Sequence, residues 1–188
     1  MRDQIIAAAM DEISEFGIKF TMNDIVKRLS ISKSTLYAHF KSKEDLIGAI
    51  VDLTLESMRQ QENEILNNNT LNVCEKLKTL LVIQPSMDIS IRLMLELKRH
   101  FPNEWHKCEQ HRIEKWQIIE SLANEGISIG YFRSIDLTIL RILFDGAMKE
   151  LTNQSFFIHN TISFTESINK MTDILFRGII KTHGSDEV

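Results

Sequence analysis

Between Lys19 and Lys43 lie six basic side chains, Lys19, Lys27, Arg28, Lys33, Lys41 and Lys43, against a single acid, Asp24. Short hydroxyl side chains, a phenol and an imidazole are interleaved with them: Thr21, Ser34, Thr35, Tyr37 and His39. Ammonium groups, hydroxyls and a phenol at this density suit hydrogen bonding to phosphates and base edges. Lys33 can donate to guanine, and Thr35 can donate, accept or touch a thymine methyl. Tyr37 and Lys43 can hold phosphates. The plainer alternative is a solvated charge run.

A second group could do different chemistry. His100, Glu104, Cys108 and His111 fall at helical spacing and are zinc-compatible ligand types. Pro102, however, breaks a helix between His100 and the rest, and no second cysteine is near in sequence, so no metal or cofactor is expected. Trp105, Cys108, Arg112, Trp116, Ile119 and Ala123 form a stripe on the same segment. Such a stripe is core or the wall of a ligand cavity. Arg112 within it, and Asp145 within the apolar run 142–148, either pair internally or face a ligand. No glycine-rich phosphate loop, paired catalytic carboxylates or nucleophile motif is present.

Composition sets the frame for these groups. Of 188 residues 43% are apolar and 26% charged, the mix of a soluble globular chain. With only two prolines and seven glycines, an all-β reading lacks its turns. Two cysteines make no disulfide framework. No signal peptide or membrane span is expected, which leaves a cytoplasmic protein. Net charge is −4 overall, yet the segment 19–43 carries +5 and the remainder, with 16 basic and 25 acidic residues, −9. One anion-binding face on an acidic body is the reading.

Helical periodicity runs nearly throughout. Residues 3–16 put Ile6, Ala9, Met10, Ile13 and Phe16 on one stripe, with Gly17 as the stop. Thr21 reads as the cap of a short helix that buries Ile25, Val26 and Leu29. After the turn Ser30-Ile31-Ser32, Ser32 caps a third helix, Lys33 to Phe40, with Leu36 and Phe40 inward. Ser42 caps a fourth that runs towards Leu66. Further helices are expected at about 71–84, 88–101, 103–125, 135–154 and 162–181. Their breaks are Pro85, Pro102, the stretch Gly126 to Gly130, and Ser155 to Thr161, and a polar tail begins at Gly184. Two short amphipathic helices around a three-residue turn must pack on neighbours to exist. In that arrangement the second can lie in a DNA major groove.

The run from Thr21 to Leu46 closely resembles the DNA-binding head of the tetracycline-repressor (TetR) family. The cap threonine, the turn, Leu36-Tyr37-x-x-Phe40 and Lys43-x-x-Leu46 match its pattern, over about 45 residues. Two departures occur: Val26 stands for the usual alanine and Ser30 for the usual turn glycine. The resemblance implies an all-α protein of about nine helices, with a three-helix helix-turn-helix head at 1–47. A ligand-binding and dimerisation body would follow at 48–188. Lys33, Ser34, Thr35, Tyr37 and His39 would then enter the major groove of double-stranded operator DNA, with Thr21 and Lys43 on phosphates.

Gly126 to Arg133 resembles the family's link before its last two helices, which in those proteins pair across a two-fold axis. Here the stripes Leu140, Leu143, Phe144, Ala147, Leu151 and Phe164, Ile168, Met171, Leu175, Ile179 would serve. The homodimer interface would centre on Phe144, Ala147, Met148, Met171 and Leu175. Met87, Met94, Phe101, Trp105, Trp116 and Phe144 suit a cavity for an apolar or aromatic effector. Met94, Trp105, Cys108, Arg112, Trp116 and Asp145 are its candidate lining, Arg112 for an anionic ligand and Asp145 for a cationic one. The function expected is a ligand-responsive regulator, in the first place a repressor. Two alternatives stand beside it: a DNA-binding or interaction protein without an inducer, and a small helical enzyme using Cys108, His111 and Arg112.

Overall fold

The computed structural model describes residues 1–83, 91–151 and 162–180. The expected breaks at Pro85 and 155–161, the tail from Gly184, and the side chains of Met87 and Phe164 lie outside these residues. Nine α-helices occur among the described residues: α1 (Arg2–Phe16), α2 (Met22–Leu29), α3 (Lys33–His39), α4 (Lys43–Leu66), α5 (Val73–Val82), α6 (Ile91–His100), α7 (Pro102–Ser128), α8 (Leu137–Leu151) and α9 (Phe164–Ile179). A 3₁₀ turn at Gly17–Lys19 joins α1 to α2. The all-α expectation holds.

The chain forms two compact units, one of residues 1–59 and 85–111, the other of 60–84 and 112–188. The first is built on α1, whose Ile5, Ile6, Ala9 and Ile13 are buried with Ile18, Phe20, Ile25, Leu36 and Phe40. Leu46, Ile47, Ile50 and Leu55 of α4 extend this core. Leu97 and Phe101 complete it from far downstream, with Leu93, Trp105 and Cys108 packed against it. Phe16, expected on the inward stripe of α1, instead points outward. It ends that helix, where the chain turns away at Gly17 with φ 69°. Pro102 opens α7, where its missing N–H costs nothing, and so separates α6 from α7 as its chemistry requires.

In the second unit α9 packs against α5 and α8. Asn72 caps α5, its side-chain oxygen accepting from the amides of Cys74 and Glu75 at 3.0 Å each, while Glu75 answers to the Asn72 amide at 2.9 Å. Ser163 caps α9 through the Glu166 amide at 3.2 Å. The expected break falls within the stretch 126–130, though not at its first glycine. Gly126 does not break α7, which continues to Ser128. It is needed because the Phe132 ring lies on it: a side-chain carbon there would stand 2.2 Å from that ring. The chain reverses at Gly130, φ +74°, and the amides of Tyr131 and Phe132 both return to the Gly126 carbonyl at 2.8 and 3.0 Å. Phe132 is thereby buried against Phe176 of α9.

Candidate nucleic-acid interface

The helix-turn-helix is assembled by local hydrogen bonds that its sequence dictates. At the start of α2 the Asp24 carboxylate accepts from the Thr21 amide at 2.8 Å and the Thr21 hydroxyl at 2.7 Å. Those bonds hold the Asp24 carboxyl below its ordinary pKa. About two turns later Ser30 adopts the left-handed conformation, φ 52° and ψ 38°, and the amides of Ser30 and Ile31 close on the Lys27 and Val26 carbonyls at 3.2 Å each. Serine thus takes the backbone that the family's glycine would take, at a cost of about 1 kcal/mol or more. Ser32 then caps α3, accepting from the Thr35 amide at 3.0 Å. Its hydroxyl also meets those of Ser34 at 2.7 Å and Thr35 at 2.8 Å.

Leu36 and Phe40 are buried, which fixes the outer face of α3. Lys33, Ser34, Tyr37, Ala38 and His39 are all exposed on it, while Thr35 is half-buried beside its cap. Arg2 lays its guanidinium 5.2 Å from the Phe40 ring centre, at the end of the same helix.

Two basic residues of the charged stretch are engaged within the protein. Lys43 turns inward: its ammonium donates to the Ile18 carbonyl and, at 2.5 Å, to the Phe20 carbonyl, and sits 4.5 Å from the Phe20 ring centre. Partial burial lowers its pKa. Two of its three donors are therefore spent on the turn before α2. Arg28 joins α2 to α1 through Glu12 at 2.6 Å, Glu15 at 3.0 Å and Asp11 at 3.8 Å. These bonds raise its pKa. Sequence reading missed this tie, though a glutamate at position 12 between the apolar Ala9 and Ile13 was its signal. The outward cations left for an anion are Lys19, Lys27, Lys33 and Lys41, with His39 among them.

Comparison with known proteins fits this geometry. Residues 5–50 match the tetR family of bacterial regulatory proteins. Over 188 residues the chain is 30% identical to YvaF, a helix-turn-helix-type transcriptional regulator of Bacillus subtilis, covering 99% of each chain. The chain belongs to the TetR family. The fatty acid metabolism regulator protein of Bacillus subtilis is a further relative, 24% identical over 185 residues and 94% of each chain. A Saccharomonospora viridis regulator solved in complex with choline shares the fold, with a TM-score of 0.77, 20% identity, and coverage of 96% of this chain and 98% of that one.

This TetR-family chain is a DNA-binding transcriptional regulator and not an enzyme. The residues of the enzyme alternative agree. Burial raises the pKa of Cys108, away from a reactive thiolate. Arg112 pairs with Asp145 at 3.3 Å, and Arg141 approaches the same carboxylate at 3.7 Å. Among the described residues no three His, Cys, Asp or Glu side chains converge as metal ligands, and no helix is long and apolar enough to cross a membrane.

The candidate effector residues divide between the two units. Met94, Trp105 and Cys108 belong to the first, where Trp105 and Cys108 pack on the core beneath the helix-turn-helix. Arg112, Trp116 and Asp145 belong to the second. There Trp116 is buried edge-on to Phe144 at 5.7 Å, with the Arg141 guanidinium 5.5 Å from its ring centre. Arg112 and Asp145 satisfy one another.

Of the residues expected at a dimer centre, Phe144, Ala147, Met148, Met171 and Leu175 are half-buried within the chain. The outward apolar side chains are their neighbours Ile139, Ile142 and Leu143 on α8 and Ile174 on α9.

Proposed function

We propose that this TetR-family protein represses transcription in the cytoplasm as a homodimer on an inverted-repeat operator, and that a small-molecule effector releases it. The observation that carries the reading is the outer face of α3, where Lys33, Ser34, Tyr37 and His39 stand exposed above the buried Leu36 and Phe40. A helix with that face, polar and compact at its N-terminal turn, fits a major groove. DNA contacts belong to the head, 1–47, and the effector and dimer surfaces to the chain from 48 to 188. Thr35 reads bases through its methyl and whichever lone pair its cap leaves open. Thr21 lies towards a phosphate at the start of α2. Lys43 contributes by holding the turn, with its remaining donor available to a phosphate.

A second copy is the occupant that suits Ile139, Ile142, Leu143 and Ile174, because a two-fold interface sets the same apolar row against itself. Met148, Met171 and Leu175 border that row. The relative concerned with fatty acid metabolism supports an apolar, lipid-derived effector. Its binding would favour a body conformation in which the two recognition helices no longer match the half-site spacing.

Selection of bound sites from random duplexes by the purified protein tests the reading. A palindrome with half-site centres one helical turn apart, or a multiple of it, is expected. Recovery of single, unpaired half-sites would refute the dimeric mode. Long-chain acyl compounds titrated onto the selected complex should then release the DNA. Binding indifferent to all of them would leave the inducer-free alternative.

A further inference from the structure

Ile18 sits in the middle of the 3₁₀ turn that joins α1 to α2. Its amide donates to the Glu96 carboxylate at 3.3 Å, from a residue of α6 that lies 78 positions later in the chain. The same oxygen stands 3.1 Å from where a side-chain carbon on Gly17 would be. Gly17 therefore leaves the space in which α6 approaches. On its carbonyl side the turn is held by Lys43, through Ile18 and Phe20. An anion on the amide and a cation on the carbonyls fix three residues of backbone between them.

What that turn controls is the start of α2. Thr21, the cap, follows Lys19 by two residues, and α2 packs on both α1 and α3. The far end of α2 is tied to α1 by Arg28. An eight-residue helix is about 12 Å long. Were its first end released, a pivot of about 10° around the Arg28 tie would displace that end by about 2 Å. Hydrogen bonds to base edges tolerate only a few tenths of an ångström.

We infer that Glu96 is a positioning residue for DNA binding: it holds the 17–19 turn from α6, and so sets the angle at which α2 and α3 leave α1. The residue touches no DNA. Its effect is on discrimination between sequences, because phosphate attraction survives a small pivot and base contacts do not.

The test compares wild type with Glu96→Ala, Glu96→Asp and Glu96→Gln, on a selected operator duplex and on a scrambled duplex of the same length. Each is measured well below its melting temperature, with hydrogen exchange of the Ile18 amide followed in parallel. Alanine is expected to lower operator affinity by about tenfold or more, with scrambled-duplex affinity within about twofold, and to speed exchange at Ile18. Aspartate keeps the charge but is one methylene short, and should behave like alanine. It also serves if the alanine variant fails to fold. Glutamine keeps an acceptor at the same reach and should restore both readouts. Alanine and aspartate variants that discriminate as wild type does would overturn the inference, as would a glutamine variant no better than aspartate. Loss of effector response would leave these outcomes untouched, since no effector enters the experiment.

Discussion

Replacing Ile174 by arginine isolates the proposed dimer contact from the stability of the protomer. Ile174 is 71% exposed, so its side chain supports little of the fold around it. With Ile139 at 52%, Ile142 at 59% and Leu143 at 56%, it leaves four large apolar side chains more than half uncovered. Full burial of such a side chain is worth about 1.5–3 kcal/mol, so each retains roughly 1 kcal/mol to gain. Four from each copy give about 8 kcal/mol, within the range of about 4–15 kcal/mol that association costs. The half-buried Met148, Met171 and Leu175 must therefore add to the contact. Ile174→Arg removes about 2 kcal/mol across the two-fold axis and places two guanidinium groups there, facing a surface with no acid in the row. A total loss of about 4 kcal/mol or more is expected, which is roughly a thousandfold in the dimer dissociation constant. Sedimentation velocity at micromolar concentration should show monomers with unchanged helical content. Operator affinity should fall with the dimer. A variant that sediments as the wild-type dimer would refute the assignment of this face.

Four further outcomes follow from the structure. In the second unit, half-buried Lys115 pairs with buried Glu62 at 3.6 Å, and Lys115→Met, which removes this cation from a carboxylate only 5% exposed, should cost about 3 kcal/mol in urea unfolding, much of it recovered in Lys115→Met/Glu62→Leu. Burial depresses the Lys115 pKa below the ordinary lysine value of 10.5, so the folded state binds fewer protons than the unfolded one just below that pH; wild-type stability should climb with pH there, and the double variant should lose that climb. Gly126→Ala should destabilise by about 3 kcal/mol or more in thermal melts, since its methyl would overlap the Phe132 ring at 2.2 Å. Ser30→Gly should raise stability by about 1 kcal/mol, by relieving a left-handed serine, without altering operator preference; a lowered midpoint would show that the serine hydroxyl does more than the backbone indicates.

The helix-turn-helix was legible because its signals are local. Thr21 with Asp24, Ser32 with Thr35, and Leu36 with Phe40 act within one helical turn of each other, where spacing and geometry are the same thing. Longer-range roles were not. Gly126 looks like a breaker until Phe132 is folded back upon it, and nothing in the local run states that return. Lys43 has a flexible four-carbon stem, and its spacing alone does not choose between a phosphate and the carbonyls of Ile18 and Phe20. Arg112 and Asp145, each anomalous on an apolar stripe, resolve into a pair only once α7 meets α8. Trp105 and Cys108 were recognisable as an inward stripe, but not which core they entered, because α7 contributes to both units.

That core has a consequence for how the protein is made and recombined. The 46 residues that match the family do not contain Leu97 and Phe101, which belong to the hydrophobic cluster that Leu36 and Phe40 enter. On a ribosome the head emerges first but lacks its floor until residues 93–108 have also cleared the exit tunnel, so its final packing waits on more than half the chain. The same holds for a hybrid regulator: a head exchanged at residue 50 would rest on a foreign floor. Specificity should transfer cleanly between relatives only when α6 and the first turns of α7 travel with it.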